Sequence, residues 1–292
     1  MKRIIPFLDY KFLAFGLSLT MLVVFSAGTI INGGLNFGVD FVGGVKIVAK
    51  FDGTADEAGI RDVLKDLNPM VQQIGQDEKN EFIVSTKLAS GKASSEADFE
   101  KVKKLLQSRY KNVEFLNIEN VGPAIGNFLK KSAIKLFFVA LIIMTIYLAF
   151  RFQFKYSVGT MAAILHDILL SIVFCGITGI EFNIPVVAAL LTIFGYSVND
   201  TIVIFDRIRE NVQIQSKQTF DDVINRSISQ SLSRTLLTSL TTLFAVLSLY
   251  LLGGEGLNDF AAVLLFGIFV GTYSSIYIAS PVLIYWERAV SR

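Results

Sequence analysis

Residues 184–205, IPVVAALLTIFGYSVNDTIVIF, read as one helix long enough to cross a bilayer, yet an amide and a carboxylate, Asn199 and Asp200, stand inside it. A spanning helix needs about 20 predominantly apolar residues. An ionisable side chain in hydrocarbon costs anywhere from about 3 to over 10 kcal/mol, so it is kept where it faces a protein interior or a water-lined path. Asp200 is therefore the first candidate functional residue. The plainer reading is a carboxylate that staples two helices or sits at the headgroups.

Working outward, similar apolar windows fall near residues 12–31, 133–150, 157–180, 235–252 and 260–285, which with the first makes six spans. With 52% hydrophobic and 18% charged residues and a mean hydropathy of +0.55, the 292 residues are too apolar for an ordinary soluble domain. A net charge of +2, with no basic face or tail, gives no footprint for nucleic acid. One cysteine, Cys175, excludes an internal disulfide, and the lone His166 cannot build a metal site unaided, so no cofactor or metal is expected. The first span follows Lys2, Arg3 and Lys11 like a secretory signal, but its apolar core is too long for one and reads as an uncleaved helix. Lys and Arg gather before span one and after spans two (Arg151, Lys155), four (Arg207, Arg209) and six (Arg288, Arg292). Under the positive-inside rule this predicts a multi-pass protein with both termini cytoplasmic.

The spacing predicts three regions: 1–33 with the first helix, 34–130 as an exported domain with glycine-rich junctions, and 131–292 as a five-helix bundle. Within about 45–120, Gly44 to Phe51 alternates as a strand with Val45, Ile47, Ala49 and Phe51 on one face. Thr54 and Glu57 form a capping-box pattern for a helix carrying Ile60, Val63, Leu64 and Leu67, stopped by Asn68 and Pro69. Strands follow at 70–76 and 81–88 around a charged turn at 77–80. A second helix from Ser95 sets Phe99, Val102 and Leu106 inward, with Arg109 or Tyr110 continuing that face, and a last strand covers 112–118. Strand, helix, strand, strand, helix, strand is the α+β ferredoxin-like order, which hosts many functions. The junctions hold Gly33, Gly34, Gly38, Gly43 and Gly44, then Gly122, Pro123 and Gly126. They read either as hinges or as tight turns beside a membrane.

Entering span three near Ser157, His166 and Asp167 lie roughly 14 Å deep, and Asp200 lies about 8 Å inside the same end of span four. Arg234 opens span five on that side, between Ser231 and Ser233 and the hydroxyls of Thr235, Thr238 and Thr241. These groups can converge as a proton relay, in which burial and a neighbouring guanidinium pull the Asp200 proton in opposite directions. Taken alone, Arg234 reads as a snorkelling anchor and His166 as a helix-to-helix hydrogen bond. Gly267 with Gly271, and Gly159 with Ala163, are small-xxx-small pairs suited to close packing.

Several of these stretches carry a resemblance. Residues 34–44 (GLNFGVDFVGG), 121–126 (VGPAIG), the His166–Asp167 pair, 195–211 (GYSVNDTIVIFDRIREN) and 231–239 (SLSRTLLTS) resemble, in order, the motifs of the SecF protein-export membrane proteins. The related SecD proteins usually show an Asp-Ala-Asn type run where Asn199, Asp200 and Thr201 stand here. The resemblance implies a half of the resistance-nodulation-division superfamily, in the bacterial cytoplasmic membrane. Its partners would be SecD, the SecY, SecE and SecG channel, the accessory proteins YajC and YidC, translocating secretory chains and membrane lipid. It also implies use of a proton or sodium gradient, with Asp200 as the essential acid, Arg234 as the cation that pairs with it, and lesser roles for Asp167, His166, Asn199 and Thr238.

Two other classes bear on the same residues. An exporter half for lipids or drugs would use the same relay, but about 75 residues of domain leave little room for an apolar cleft. An intramembrane aspartyl protease would pair Asp167 with Asp200. Against it, no Gly-x-Gly-Asp run is present, and a fixed Arg234 would oppose proton sharing.

Overall fold

The structure, a computed structural model, describes residues 4–53, 55–67, 69–74, 80–87, 95–214 and 218–290. In chain order the elements are α1 (Lys11–Ile31), α2 (Val39–Val42), β1 (Gly44–Phe51), α3 (Glu57–Val63), β2 (Met70–Ile74), β3 (Glu81–Lys87), α4 (Ser95–Arg109) and β4 (Val113–Val121). Then follow α5 (Pro123–Arg151), α6 (Phe154–Thr178), α7 (Ile184–Ile214), α8 (Phe220–Leu252), α9 (Glu255–Ser274) and α10 (Ser280–Val290). A 3-10 turn, Phe7–Tyr10, leads into α1, and a π-helical turn, Ser275–Ala279, joins α9 to α10 in one continuous rod. Among the described residues six helical segments are long and apolar enough to cross a membrane: 7–31, 123–151, 154–178, 184–214, 220–252 and 256–290. Most run past the apolar windows at one or both ends, because hydrogen-bonded helix continues into the polar flanks.

Between α1 and α5 the small domain forms a four-stranded antiparallel sheet ordered β2-β3-β1-β4. That order, with α3 and α4 as the crossovers, is the ferredoxin-like arrangement. Val45, Ile47, Ala49 and Phe51 are all buried and meet Ile60 of α3 with Val102 and Leu106 of α4. Fully burying each large side chain of this kind contributes roughly 1.5–3 kcal/mol. Thr54 and Asn68 lie outside the described residues. The cap that is seen on α3 is Asp56, whose carboxylate accepts from the Gly59 N–H at 3.0 Å. α3 ends at Val63, earlier than the Asn68–Pro69 stop, and β4 runs on to Val121.

In the bundle α9 is the central helix, packed against α6, α7 and α8, while α1 lies on α6 and α5 covers α6 and α2. Any Cβ on Gly267 of α9 would collide with Ile193 of α7, so that glycine sets how closely the two helices approach.

Candidate functional site

Both intramembrane carboxylates touch α9. Asp167 on α6 is fully buried, bonded to the neighbouring His166 (Nδ1 to Oδ1, 2.8 Å) and accepting from Ser274 Oγ at 2.7 Å. Asp200 on α7 is 4% exposed, and its Oδ2 accepts from Ser239 of α8 at 3.2 Å and from Thr272 of α9 at 3.5 Å. The two hydroxyls also bond each other at 2.8 Å. Three helices thus close on one oxygen, and all the groups meeting it there are neutral. Ser157, Ser197, Thr201 and Thr235 add buried hydroxyls without a hydrogen-bond partner, and so does Nε2 of His166.

Arg234 is not brought to Asp200. On α8 the buried hydroxyls Ser231, Thr235 and Ser239 recur every four residues and face inward. Arg234 points elsewhere: it is exposed and lines a cavity of about 220 Å³ with Asp206, Arg207 and Glu210. Among the described residues no ion pair joins it to either intramembrane acid. Ser239 is five positions along α8 from Arg234, about 7.5 Å along the helix.

Thr238 turns its hydroxyl away from Asp200, while the adjacent Asn199 side chain hydrogen-bonds that carboxyl. With Thr192, Tyr196, Thr241 and Thr242 they line a groove of about 570 Å³ on the outside of the bundle between α7 and α8. Tyr196 and Thr242 bond across it at 2.6 Å, and Thr238 returns its hydroxyl to the backbone of its own helix. The expected single ladder of hydroxyls is therefore two, one buried on Asp200 and one open to the surroundings. Thr272 and Ser274 were not singled out in the sequence. Their signal is the hydroxyl-rich run TYSS at 272–275 inside an otherwise apolar span.

The two junctions pack against each other. Gly43 has φ +86°, and a Cβ on Gly44 would collide with the Thr86 carbonyl, so both positions require glycine. A Cβ on Gly126 would come within 2.8 Å of the Phe41 carbonyl, which places α5 directly on α2. Pro123 opens α5 and Gly122 caps it with open space around it. The first junction is further bonded to the α6–α7 turn: Gly38 N–H to Phe182 O at 2.9 Å, Phe182 N–H to Asn36 O at 2.8 Å, and Ile184 N–H to Asp40 Oδ2 at 3.0 Å. Gly38, Gly44 and Gly126 here serve close contact.

Comparison with known proteins agrees along the chain. Residues 101–289 match the family described as protein export membrane protein SecD/SecF, C-terminal, and residues 29–55 match the SecD/SecF GG motif. The chain is 38% identical to the protein translocase subunit SecF of Desulfurispirillum indicum, over 97% of this chain and 92% of that one. It is 37% identical to the protein translocase subunit SecDF of Thermus thermophilus, over 92% of this chain. The crystal structure of SecDF from that organism superposes with a TM-score of 0.82 at 35% identity over 98% of this chain. The chain spans 37% of that SecDF relative and 39% of the solved chain.

Proposed function

The chain belongs to the SecD/SecF family of protein-export membrane proteins, and we propose that it acts as the SecF-type subunit of a protein translocase, assisting secreted chains across the membrane by spending an ion gradient at Asp200. It works as a transport component, with no covalent chemistry on its substrate. The observation that carries this reading is Asp200 itself, a buried carboxylate held by two hydroxyls from two other helices. Losing or gaining a proton, or a sodium ion, at that oxygen changes what Ser239 and Thr272 can donate to, and so changes how α7, α8 and α9 sit together. One charge moving across about 100 mV is worth about 2.3 kcal/mol, enough to shift a two-state equilibrium roughly fiftyfold. Arg234 then acts as a counter-charge that reaches the acid only when α8 shifts.

The open groove beside Asn199 supports a partner. Hydroxyl and amide groups at mid-membrane depth are disfavoured against lipid, so polar helices of a second subunit, of SecD type, are the fitting cover. The placement of Lys and Arg supports cytoplasmic termini in the bacterial inner membrane, with the small domain outside, where it meets the emerging chain near the SecY, SecE and SecG channel. Rigid within itself, the domain moves as a unit about the Gly43–Gly44 and Gly122–Gly126 junctions once their mutual packing is released.

Secretion assayed in cells expressing Asp200→Asn at the wild-type level tests this reading. The neutral isostere should insert normally and lose ion-dependent secretion. Normal secretion that still collapses when the gradient is dissipated would sink the proposal. Dissipating proton and sodium gradients separately identifies the ion.

A further inference from the structure

Glu181 is a carboxylate for which the intramembrane site has no use. It lies in the turn between α6 and α7, is 6% exposed, and its Oε1 has no hydrogen-bond partner. It closes one wall of a cavity of about 50 Å³ whose other walls are Val39 and Asp40 of α2, Lys46 and Ser85 of the sheet, Pro185 of α7 and Gly256 of α9. The cavity is the seam between the small domain and the bundle. Glu181 is thus covered by docking of one body on another.

A buried carboxylate with an unpaired oxygen is unfavourable when ionised, and the charges around this one do not reverse that. Burial is the largest influence. Lys87 of β3 and Lys46 of β1 favour the anion, whereas Asp259 of α9 and Asp40 of α2 oppose it, and the carboxyl is pushed up from 4.5 to about 7. Lys87 is already engaged, donating to Asn36 Oδ1. With Lys46 in the same cavity, a proton is the cation that fits, and a metal ion is not.

We propose that Glu181 is a second proton-binding site whose occupancy keeps the small domain docked on the bundle and whose deprotonation releases it. When the domain lifts, the carboxyl regains water and an ordinary acidity. The docked state therefore holds the proton more tightly than the open state, and docking is favoured at low pH and lost as pH rises through about 7. A single group changes the docked-to-open ratio by at most about tenfold per pH unit, and only between the two acidities. With the domain outside, this site senses the outer proton pool and stands independently of Asp200.

Distance measurements by pulsed electron paramagnetic resonance test the idea on the full-length chain in lipid bilayers. Nitroxides go on Gln107→Cys in α4 and Ser248→Cys near the domain end of α8, with Cys175→Ala to leave only the intended thiols. From about pH 4 to about pH 9 a second distance should grow at the expense of the docked one, with a midpoint between about 4.5 and about 7. Glu181→Gln should hold the docked distance throughout, while Asp200→Asn should titrate like the parent. Infrared difference spectra of parent against Glu181→Gln should show a protonated carboxyl that disappears over the same range. A parent distribution that does not change with pH, a Glu181→Gln chain that titrates with the parent midpoint, or a Glu181 already ionised at about pH 5 overturns the proposal.

Discussion

Asp167 and Asp200 sit on adjacent helices at similar burial, and both contact α9 within three residues of each other, yet their surroundings differ in kind. Asp167 has a histidine at 2.8 Å and a serine at 2.7 Å, shared between its two oxygens. From the neighbouring helices Asp200 has two longer contacts, both on one oxygen, from hydroxyls that also bond each other. Shorter hydrogen bonds of good geometry are the stronger ones. A carboxylate held by two short bonds, one from its own helix neighbour His166 and one across to α9, is fixed in place. One held by exchangeable hydroxyls can change its bonding at little cost, which suits a group that must cycle. Depth and residue type do not separate the two; the partners do.

The largest test of this contrast is Asp200→Asn, expected to abolish ion-driven secretion while changing the unfolding midpoint in detergent very little. If the neutral chain loses stability instead, the two acids are of one kind.

Asp167→Asn should reverse the balance. An amide there can no longer satisfy His166 and Ser274 together as both carboxyl oxygens do, and at a fully buried position that loss is about 1–3 kcal/mol. Thermal unfolding in detergent should show it, with gradient dependence retained in whatever protein survives.

Arg234→Lys sharpens the contrast from outside. The side chain is exposed and distant from both acids, so stability should be unchanged. As a counter-charge it still needs the planar fork, and secretion driven by the gradient should fall severalfold. Full activity, with topology verified by labelling, would return Arg234 to a positive-inside anchor.

Thr272→Ala is the smallest. Removing one weak donor from Asp200 should cost about 0.5–1.5 kcal/mol or less and shift the pH dependence of secretion, whereas Ser274→Ala should lower stability without moving that profile.

Much of this arrangement was legible in the sequence. The apolar windows marked the spans, and the alternation from Val45 to Phe51 with the spacing of Val102 and Leu106 set the domain's order. Asp200 stood out because a charge in a spanning helix demands a reason. Whether Arg234 touches Asp200 is not legible in the sequence, because closeness in depth does not fix closeness in space. Positions 231, 235 and 239 share a face, and 234 stands about 100° from 235 around the helix. That rotation decides which residues face Asp200, and it depends on which helix lies opposite. Thr272 and Ser274 went unnoticed for the same reason, since hydroxyls are unremarkable in a span until a carboxylate from another helix is placed beside them. The glycine-rich junctions are a second case. Composition leaves hinge and tight turn equally open, and the structure adds that backbone lies against Gly44 and Gly126.

The π turn at Ser275–Ala279 has a consequence for how the last span is phased. Each residue of an α-helix advances about 100° around its axis, so a turn carrying one surplus residue offsets every later side chain by that angle. Above it, Thr272 and Ser274 address the two carboxylates. Below it, Leu283 and Ile284 are buried in the apolar cluster of Phe205 and Ile228. The rod thus carries two independent angular registers, like a shaft with an offset coupling. Sliding the surplus residue one position along would turn Ser274 relative to Asp167 without rotating α10 at all.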